Sequence, residues 1–196
     1  MNNPAVDLVP ARTALLLMDL QPSILGMHPD ADRFLAELRR ARQAAREAGA
    51  TVAYVRVALS QEDAARVPAH SRFAAAAARV DEVGPEHPAV SVDPRIAPAE
   101  GELVVRKSRY GAFSTTDLHE RLRARGVDTV VLAGISTSGV VLSTARDAVD
   151  KDYRVVVLSD GTFDRDPEVH RVLTEKVYPA QQAAVVTIDE LIAALG

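Results

Sequence analysis

The sequence predicts an α/β protein in three layers, with a six-stranded, mostly parallel sheet and helices on both of its faces. Short apolar runs rich in β-branched residues alternate about six times with segments whose apolar residues recur at helical spacing. Glycines that favour a helix end follow two of these segments, at Gly49 and Gly126. All 196 residues are expected to form a single domain.

Six apolar runs are predicted as strands. The first, TALLLMDL, carries a single charge near its end, as expected for a central strand that is buried on both faces. The fourth, TVVLAGI, leads into a turn of small residues at Ser136–Gly139. The predicted strands are Thr13–Leu20, Thr51–Leu59, Glu102–Arg106, Thr129–Leu132, Tyr153–Leu158 and Ala184–Ile188.

The segments between these runs are predicted as helices, with capping-box-like spacing at Ser114 and Asp117 and at Thr187 and Glu190. The region Ser60–Glu100 is broken by prolines and is interpreted as a binding loop, a lid or a subunit contact. The predicted helices cover Asp30–Ala48, Arg72–Val80, Ser114–Arg125, a segment that begins near Gly139, a segment that begins at Asp166 and Pro167, and a final segment that ends at Leu195.

Composition excludes several classes of function. The chain has no cysteine, which rules out disulfides, thiolate metal sites and a cysteine nucleophile. The net charge of −4 is spread along the chain, so no basic surface for nucleic acid or an anionic membrane is expected. The N-terminus lacks the pattern of a signal peptide or a membrane span, and a cytoplasmic location is expected. Small polar substrates or other proteins remain as partners.

Three features should meet at the carboxyl edge of the sheet, where parallel α/β proteins bind ligands. Asp19 ends the first strand, Lys107 follows the third, and the turn Ser136–Val140 follows the fourth. A carboxylate that faces a lysine is a general acid or base with a partner for its charge. The turn begins a helix and presents backbone N–H groups to the space above it.

The segments MDLQ, RKSRYGAFSTTDL and AGISTSGVVLSTARDA resemble, in order, the three signature segments of the isochorismatase-like hydrolases. The resemblance covers nearly the whole chain. It implies a Rossmann-like sheet of order 3-2-1-4-5-6, a homodimer or larger homo-oligomer, and a cis peptide near Ile135 and Ser136. It also implies an oxyanion site formed by the turn, at Ile135, Ser136, Gly139 and Val140.

Most members of that family use an Asp, Lys and Cys triad, and the resemblance places Val140 at the cysteine position. True isochorismatases also lack the cysteine, typically have glycine there, and use the aspartate as an acid that protonates a vinyl ether. The leading hypothesis is therefore a cysteine-independent hydrolase in which Asp19 is the general acid or base and Lys107 assists it, without cofactor or metal. Residues expected to contact the substrate are Gln21, Arg106, Arg109, Phe113 and Ser138.

Two alternatives remain open. An apolar residue at Val140 is also compatible with an inactive protein of this fold that binds a ligand or serves as a scaffold. The turn is close to the G-x-S-x-G pattern, so Ser136 or Ser138 could act as a nucleophile with His170 and either Asp160 or Asp164. The five histidines show no metal-binding spacing, and the isolated glycines form no phosphate-binding loop.

Overall fold

The computed structural model describes residues 6–196. Six strands form a sheet in which every pairing is parallel, in the order β3-β2-β1-β4-β5-β6. The predicted fold class and strand order are confirmed. The strands are β1 (Thr13–Met18), β2 (Thr51–Val57), β3 (Leu103–Lys107), β4 (Thr129–Ile135), β5 (Arg154–Phe163) and β6 (Ala184–Val186).

The boundaries of all six strands differ from the prediction, most at the end of β5. Lys107 is the last residue of β3 and does not lie beyond it. Strand β5 continues past Leu158 to Phe163, because after an irregularity in the register it pairs with β4 again at Thr162 and Phe163. Strands β3, β4 and β5 extend farther toward the carboxyl edge than predicted, whereas β1, β2 and β6 end two residues earlier, so Asp19 lies just beyond β1. At this edge β1 ends between β2 and β4.

The long helix α2, between β1 and β2, and the final helix α9, after β6, begin as predicted. Asp30 caps the long helix α2 by accepting a hydrogen bond from the N–H of Arg33, and Gly49 beyond its end has φ +82°. Thr187 and Glu190 form a capping box at the final helix. The helices are α1 (Pro22–Leu25), α2 (Ala31–Glu47), α3 (Gln61–Ala65), α4 (Ala74–Ala77), α5 (Leu118–Arg123), α6 (Leu142–Asp150), α7 (Pro167–Val172), α8 (Tyr178–Ala180) and α9 (Ile188–Leu195).

Two predicted helices are shorter than expected. Helix α5 begins at Leu118 and not at Ser114, because the Thr116 hydroxyl donates to the Ala112 carbonyl and accepts from the Leu118 N–H, which favours turns before the helix. The alanine-rich segment forms a single turn, α4, and none of its residues is buried. The rest of the 60–100 region consists of α3, 3₁₀ turns and loops.

Apolar side chains pack on both faces of the sheet, since successive residues of a strand point to opposite sides. One core contains Leu16 and Met18 of β1 together with side chains from α5, α6 and α8. The other contains Leu15 and Leu17 with side chains from α1, α2 and α9. The fully buried β1 therefore ends at the centre of the carboxyl edge.

Candidate active site

Asp19 follows β1 directly. Its backbone is left-handed, with φ +57°, and its N–H donates to the Val55 carbonyl of β2 at 2.7 Å. Nearby, the side-chain amide of buried Gln21 accepts from the Val57 N–H at 2.8 Å and donates to the carbonyls of Val57 at 2.9 Å and Val90 at 2.7 Å. These bonds tie the chain after β1 to the end of β2, which fixes the position of the carboxylate.

Lys107 reaches Asp19 from the other side of β2. The two side chains meet at 2.9 Å between Nζ and Oδ2, and Nζ also donates to the Arg109 carbonyl at 3.1 Å. Both residues are buried, with 1% of Lys107 and 5% of Asp19 exposed. The strand order 3-2-1 places only β2 between them, a separation that an extended lysine spans. The structure thus joins two residues that are far apart in the sequence.

The environment of Asp19 favours proton exchange. Burial raises the pKa of its carboxyl from 3.8 to about 6, although the charge and hydrogen bond of Lys107 act in the opposite direction. Its second oxygen, Oδ1, is buried and has no hydrogen-bond partner among residues 6–196. A carboxyl with this pKa and a free oxygen can donate a proton to a ligand or take one from it.

The turn after β4 has the backbone that the motif predicts. The Ile135–Ser136 peptide is cis, which confirms the prediction. Residues Thr137–Val141 form a π-helical turn that continues into α6, and the N–H groups of Gly139 and Val141 both donate to the Ser136 carbonyl, at 3.1 and 3.2 Å. The helix therefore starts at the carboxyl edge of the sheet, where its backbone dipole is positive.

A glycine lets the turn approach β1 closely. Gly134 has φ +134°, and a Cβ there would lie 2.0 Å from the Met18 carbonyl oxygen. No side chain is compatible with that distance. Because Met18 immediately precedes Asp19, this contact brings the exit of β4 against the exit of β1.

Val140 packs beneath this edge. It is 2% exposed and belongs to the same apolar cluster as Met18 and Val105. Met18 precedes Asp19 by one position, and Val105 precedes Lys107 by two. The first helical turn after β4 therefore contributes a buried apolar side chain to the core that also contains Met18 and Val105.

Comparison with known proteins identifies this architecture. A model of the isochorismatase domain matches residues 13–190. The chain belongs to the isochorismatase family. It is 33% identical over 187 residues to the isochorismatase family protein YecD of Escherichia coli O157:H7, an alignment that covers 93% of this chain and 96% of that protein. It is 32% identical over 191 residues to a probable isochorismatase of Pseudomonas chlororaphis, with 93% and 86% covered.

Solved structures agree with the family assignment. A cysteine hydrolase from Pseudomonas syringae pv. phaseolicola 1448A is similar with a TM-score of 0.84 and 27% sequence identity, over 100% of this chain and 98% of that one. The family predicted from the three sequence segments is confirmed. The chain is an isochorismatase-family hydrolase with a small-molecule substrate.

Two of the residues expected to contact substrate lie in the packed interior of this isochorismatase fold. Gln21 is 0% exposed and its amide bonds only to backbone groups of the described chain. Phe113 is buried and stacks on the ring of Tyr153, with centroids 5.7 Å apart. Asp19 and Lys107 are as buried as these two residues, so a contact with the substrate stays a prediction for both.

The two arginines have different surroundings. The Arg106 guanidinium donates to the carboxylate of Asp63 at 2.5 Å and to the Ala58 carbonyl at 2.8 Å. The Arg109 guanidinium donates to the Ser108 carbonyl at 2.7 Å and lies over the ring of Phe73, 5.5 Å from its centroid. Within residues 6–196, no carboxylate pairs with Arg109, which keeps its charge open to an anion.

The serine relay is not formed. Ser138 donates from both its N–H and its hydroxyl to Asp164, at 2.8 and 2.6 Å. The His170 ring hydrogen-bonds instead with the hydroxyl of Thr137, at 2.9 Å, and Asp160 accepts from the first N–H of α9. Neither serine of the turn contacts the histidine in the described structure, so the order of residues along the sequence was misleading.

Tyr178 is a contact of the turn that sequence reasoning missed. Its hydroxyl donates to the Thr137 carbonyl at 2.6 Å, and both residues are fully buried. A buried tyrosine hydroxyl needs a partner, but nothing in the sequence indicates one that lies 41 positions away. The sequence also drew attention to His170 and Asp164, but as partners of a serine nucleophile and not as contacts that hold the turn.

Other kinds of site find no support in the part of the chain that the structure describes. Residues 6–196 contain no group of three or more His, Asp or Glu side chains arranged to hold a metal ion. Over the same range, every helix is too short or too polar to cross a lipid bilayer.

Proposed function

We propose that this protein hydrolyses its substrate without a covalent intermediate, with Asp19 as general acid and base and Lys107 as the partner of its charge. The observation that carries the proposal is the buried contact of 2.9 Å between Lys107 Nζ and Asp19 Oδ2, which leaves Oδ1 without a partner. The chain has no cysteine, so attack by a thiolate cannot be part of its reaction.

A vinyl ether is the substrate bond that this arrangement suits best. Neutral Asp19 donates its proton to the terminal alkene carbon, and the electron pair of the ether oxygen stabilises the resulting oxocarbenium ion. Water adds to that ion and returns a proton to the Asp19 carboxylate, and the hemiketal then separates into an alcohol and a ketone. A pKa of about 6 supports both halves of this cycle near neutral pH, and Lys107 stabilises the carboxylate between them.

The turn contributes shape and electrostatics in this proposal. The N–H of Gly139 already bonds to the Ser136 carbonyl, and the N–H of Ser138 bonds to Asp164. The helix start that includes Val140 therefore acts through its positive dipole and any N–H that remains open to a ligand. Arg109 is the proposed contact for an anionic group, since none of the described carboxylates neutralises it.

A ligand-binding protein without turnover is a second candidate, and Val140 is the observation that favours it. The residue is 2% exposed and apolar where the resemblance places a nucleophile. An apolar floor suits retention of a ligand more than attack on a carbonyl.

Turnover of a substrate panel separates the two candidates. Wild type, Asp19→Asn and Asp160→Asn are offered isochorismate, other enol ethers and small amides. We expect Asp19→Asn to lower kcat by about 100-fold or more, the usual contribution of a general acid. Asp160→Asn is the control, since Asp160 is an exposed carboxylate that accepts a hydrogen bond from the Ile188 N–H at the start of α9.

Each alternative outcome has a clear meaning. Turnover that is equal in wild type and Asp19→Asn would remove Asp19 from the mechanism. Saturable binding of a panel compound with no turnover by wild type would favour the second candidate. The homodimer or larger homo-oligomer and the cytoplasmic location remain predictions from the sequence, which light scattering and cell fractionation test.

A further inference from the structure

Three side chains from the segment after β5 converge on the turn that follows the cis peptide. Tyr178 donates to the Thr137 carbonyl at 2.6 Å, and His170 hydrogen-bonds with the Thr137 hydroxyl at 2.9 Å. Asp164 accepts from both the N–H and the hydroxyl of Ser138, at 2.8 and 2.6 Å. The carbonyl and hydroxyl of Thr137 and the N–H and hydroxyl of Ser138 are thus all hydrogen-bonded to side chains of the 164–178 segment.

These contacts hold the turn firmly because the hydrogen bond between Tyr178 and Thr137 is shielded from water. Thr137 and Tyr178 are both 0% exposed. A hydrogen bond in such surroundings has no water to replace it, so its loss leaves a buried group unpaired. The turn Ser136–Val140 would then be free to relax, while Asp19 and Lys107, on other strands, would keep their contact.

We propose that Asp164, His170 and Tyr178 are positioning residues that hold the helix start at Val140 in the orientation in which its positive end can interact with an anionic group of the substrate. The proposal rests on the proposed function, because it assigns the turn a role in the chemistry and not in folding alone. It makes the 164–178 segment a third part of the site, besides the Asp19–Lys107 pair and the turn.

The chain contains a matched pair of the same residue types elsewhere. The Tyr153 hydroxyl hydrogen-bonds with the His119 ring at 3.1 Å, and Tyr153 is also buried. These two residues join α5 to the start of β5, and none of their hydrogen bonds in the described chain involves residues 136–140. Substitutions at Tyr153 and His119 therefore show the effect of losing a Tyr–His hydrogen bond on the protein, while the contacts of the turn stay unchanged.

A single thiol can report the orientation of the helix start without knowledge of the substrate. Val140→Cys places one cysteine in a chain that otherwise has none. A helix N-terminus lowers the pKa of a nearby thiol and apolar burial raises it, so a change in the thiol pKa between variants reports a change in the orientation of the turn. Because Val140 is 2% exposed, the thiolate is followed by its ultraviolet absorbance, which needs no reagent to reach it. A cysteine introduced at exposed Val149 of α6 serves as the reference thiol.

The test compares second substitutions in the Val140→Cys protein. Tyr178→Phe and His170→Leu are expected to raise the thiol pKa enough to lower the thiolate fraction at neutral pH by about threefold or more. His170→Gln, which can keep a hydrogen bond to Thr137, should restore part of that fraction. Tyr153→Phe and His119→Leu should leave the thiol pKa unchanged. Circular dichroism and Tm establish that each variant is folded, and Asp164→Asn replaces any that is not.

The results decide between positioning and general stabilisation. Equal thiol pKa values in the turn variants and in the Tyr153 and His119 controls would overturn the proposal. The Asp19→Asn variant distinguishes a failure of this positioning proposal from a failure of the proposed function. If Asp19→Asn leaves turnover unchanged while Tyr178→Phe still shifts the thiol pKa, the role assigned to Asp19 fails and the positioning role stands.

Discussion

The two halves of the site differ in how their polar groups are hydrogen-bonded. At the ends of β1 and β3, Asp19 is buried with one oxygen bonded to Lys107 and the other without a partner in the described chain. After β4, the polar groups of Thr137 and Ser138 are bonded to side chains of a later segment. An unpartnered buried group is costly and ready to exchange a proton, whereas fully paired groups hold a fixed shape. We therefore call the Asp19–Lys107 pair the chemical half of the site and the turn Ser136–Val140 its structural half.

The largest effect should come from removing the charge partner of the chemical half. Lys107→Met keeps most of the apolar part of the side chain but removes the charge and leaves the Asp19 carboxylate unpaired in the interior. Breaking a buried pair in this way costs about 3–5 kcal/mol in the free energy of unfolding. Urea denaturation measures that loss, with Lys151→Met as control. Lys151 forms a partly exposed pair with Asp147 at 3.0 Å, worth about 1 kcal/mol or less.

The cost of Lys107→Met should also depend on pH. The pKa of Asp19 is raised in the folded protein, from 3.8 to about 6, so the folded state binds this proton more tightly than the unfolded chain. The stability that Asp19 contributes is therefore complete below about pH 4 and is lost as the pH rises through about 6. Lys107→Met should destabilise more at about pH 7.5 than at about pH 4.5. An equal cost at both values would contradict an ionised Asp19 as the group that Lys107 stabilises.

The next effect concerns the direction of proton transfer. If Asp19 acts as the acid on a vinyl ether, kcat/KM should be constant below the pKa of about 6 and fall about tenfold per pH unit above it. A profile that rises through the same pKa would instead make Asp19 the base. Asp160→Asn should show the wild-type profile. The measurement sharpens the proposal, because it distinguishes two roles for one carboxylate in the chemical half.

The sequence was most informative where local pattern and topology agree. The continuous apolar run of β1 and the helical spacing of α2 both predicted their elements, and the rule that sites lie at the carboxyl ends of parallel strands led to Asp19 and Lys107. It failed where tertiary contacts decide. The stacking of Phe113 on Tyr153 and the hydrogen bond between Tyr178 and Thr137 join distant residues, and neither contact is visible in local spacing.

A third effect tests whether Val140 belongs to the structural half. Val140→Ala removes two buried methyl groups and should lower the free energy of unfolding by about 2 kcal/mol. Val149→Ala is the control, since Val149 lies farther along the same helical segment and is 43% exposed, so its cost should be within about 0.5 kcal/mol. A cost for Val140→Ala as small as the control would mean that Val140 faces an open crevice and not a packed floor.

The smallest expected effect lies at the rim, where the two arginines differ. Arg109 has no carboxylate partner among the described residues, whereas Arg106 is bonded to Asp63. Arg109→Ala should raise KM for a carboxylate-bearing substrate by about threefold to tenfold, and the change should shrink at high salt, since exposed charges are screened. A neutral ester of the same substrate should show no change in KM.

Arg106→Ala provides the contrast for this rim prediction. Because its guanidinium is engaged by Asp63 and the Ala58 carbonyl, its loss should lower stability through the 60–100 region and leave KM for the carboxylate unchanged. If Arg106→Ala raises KM and Arg109→Ala does not, the anion contact belongs to the arginine that this structure pairs with Asp63. That result would require the Arg106–Asp63 bond to open when substrate binds, and it would extend the chemical half of the site onto the far face of β3.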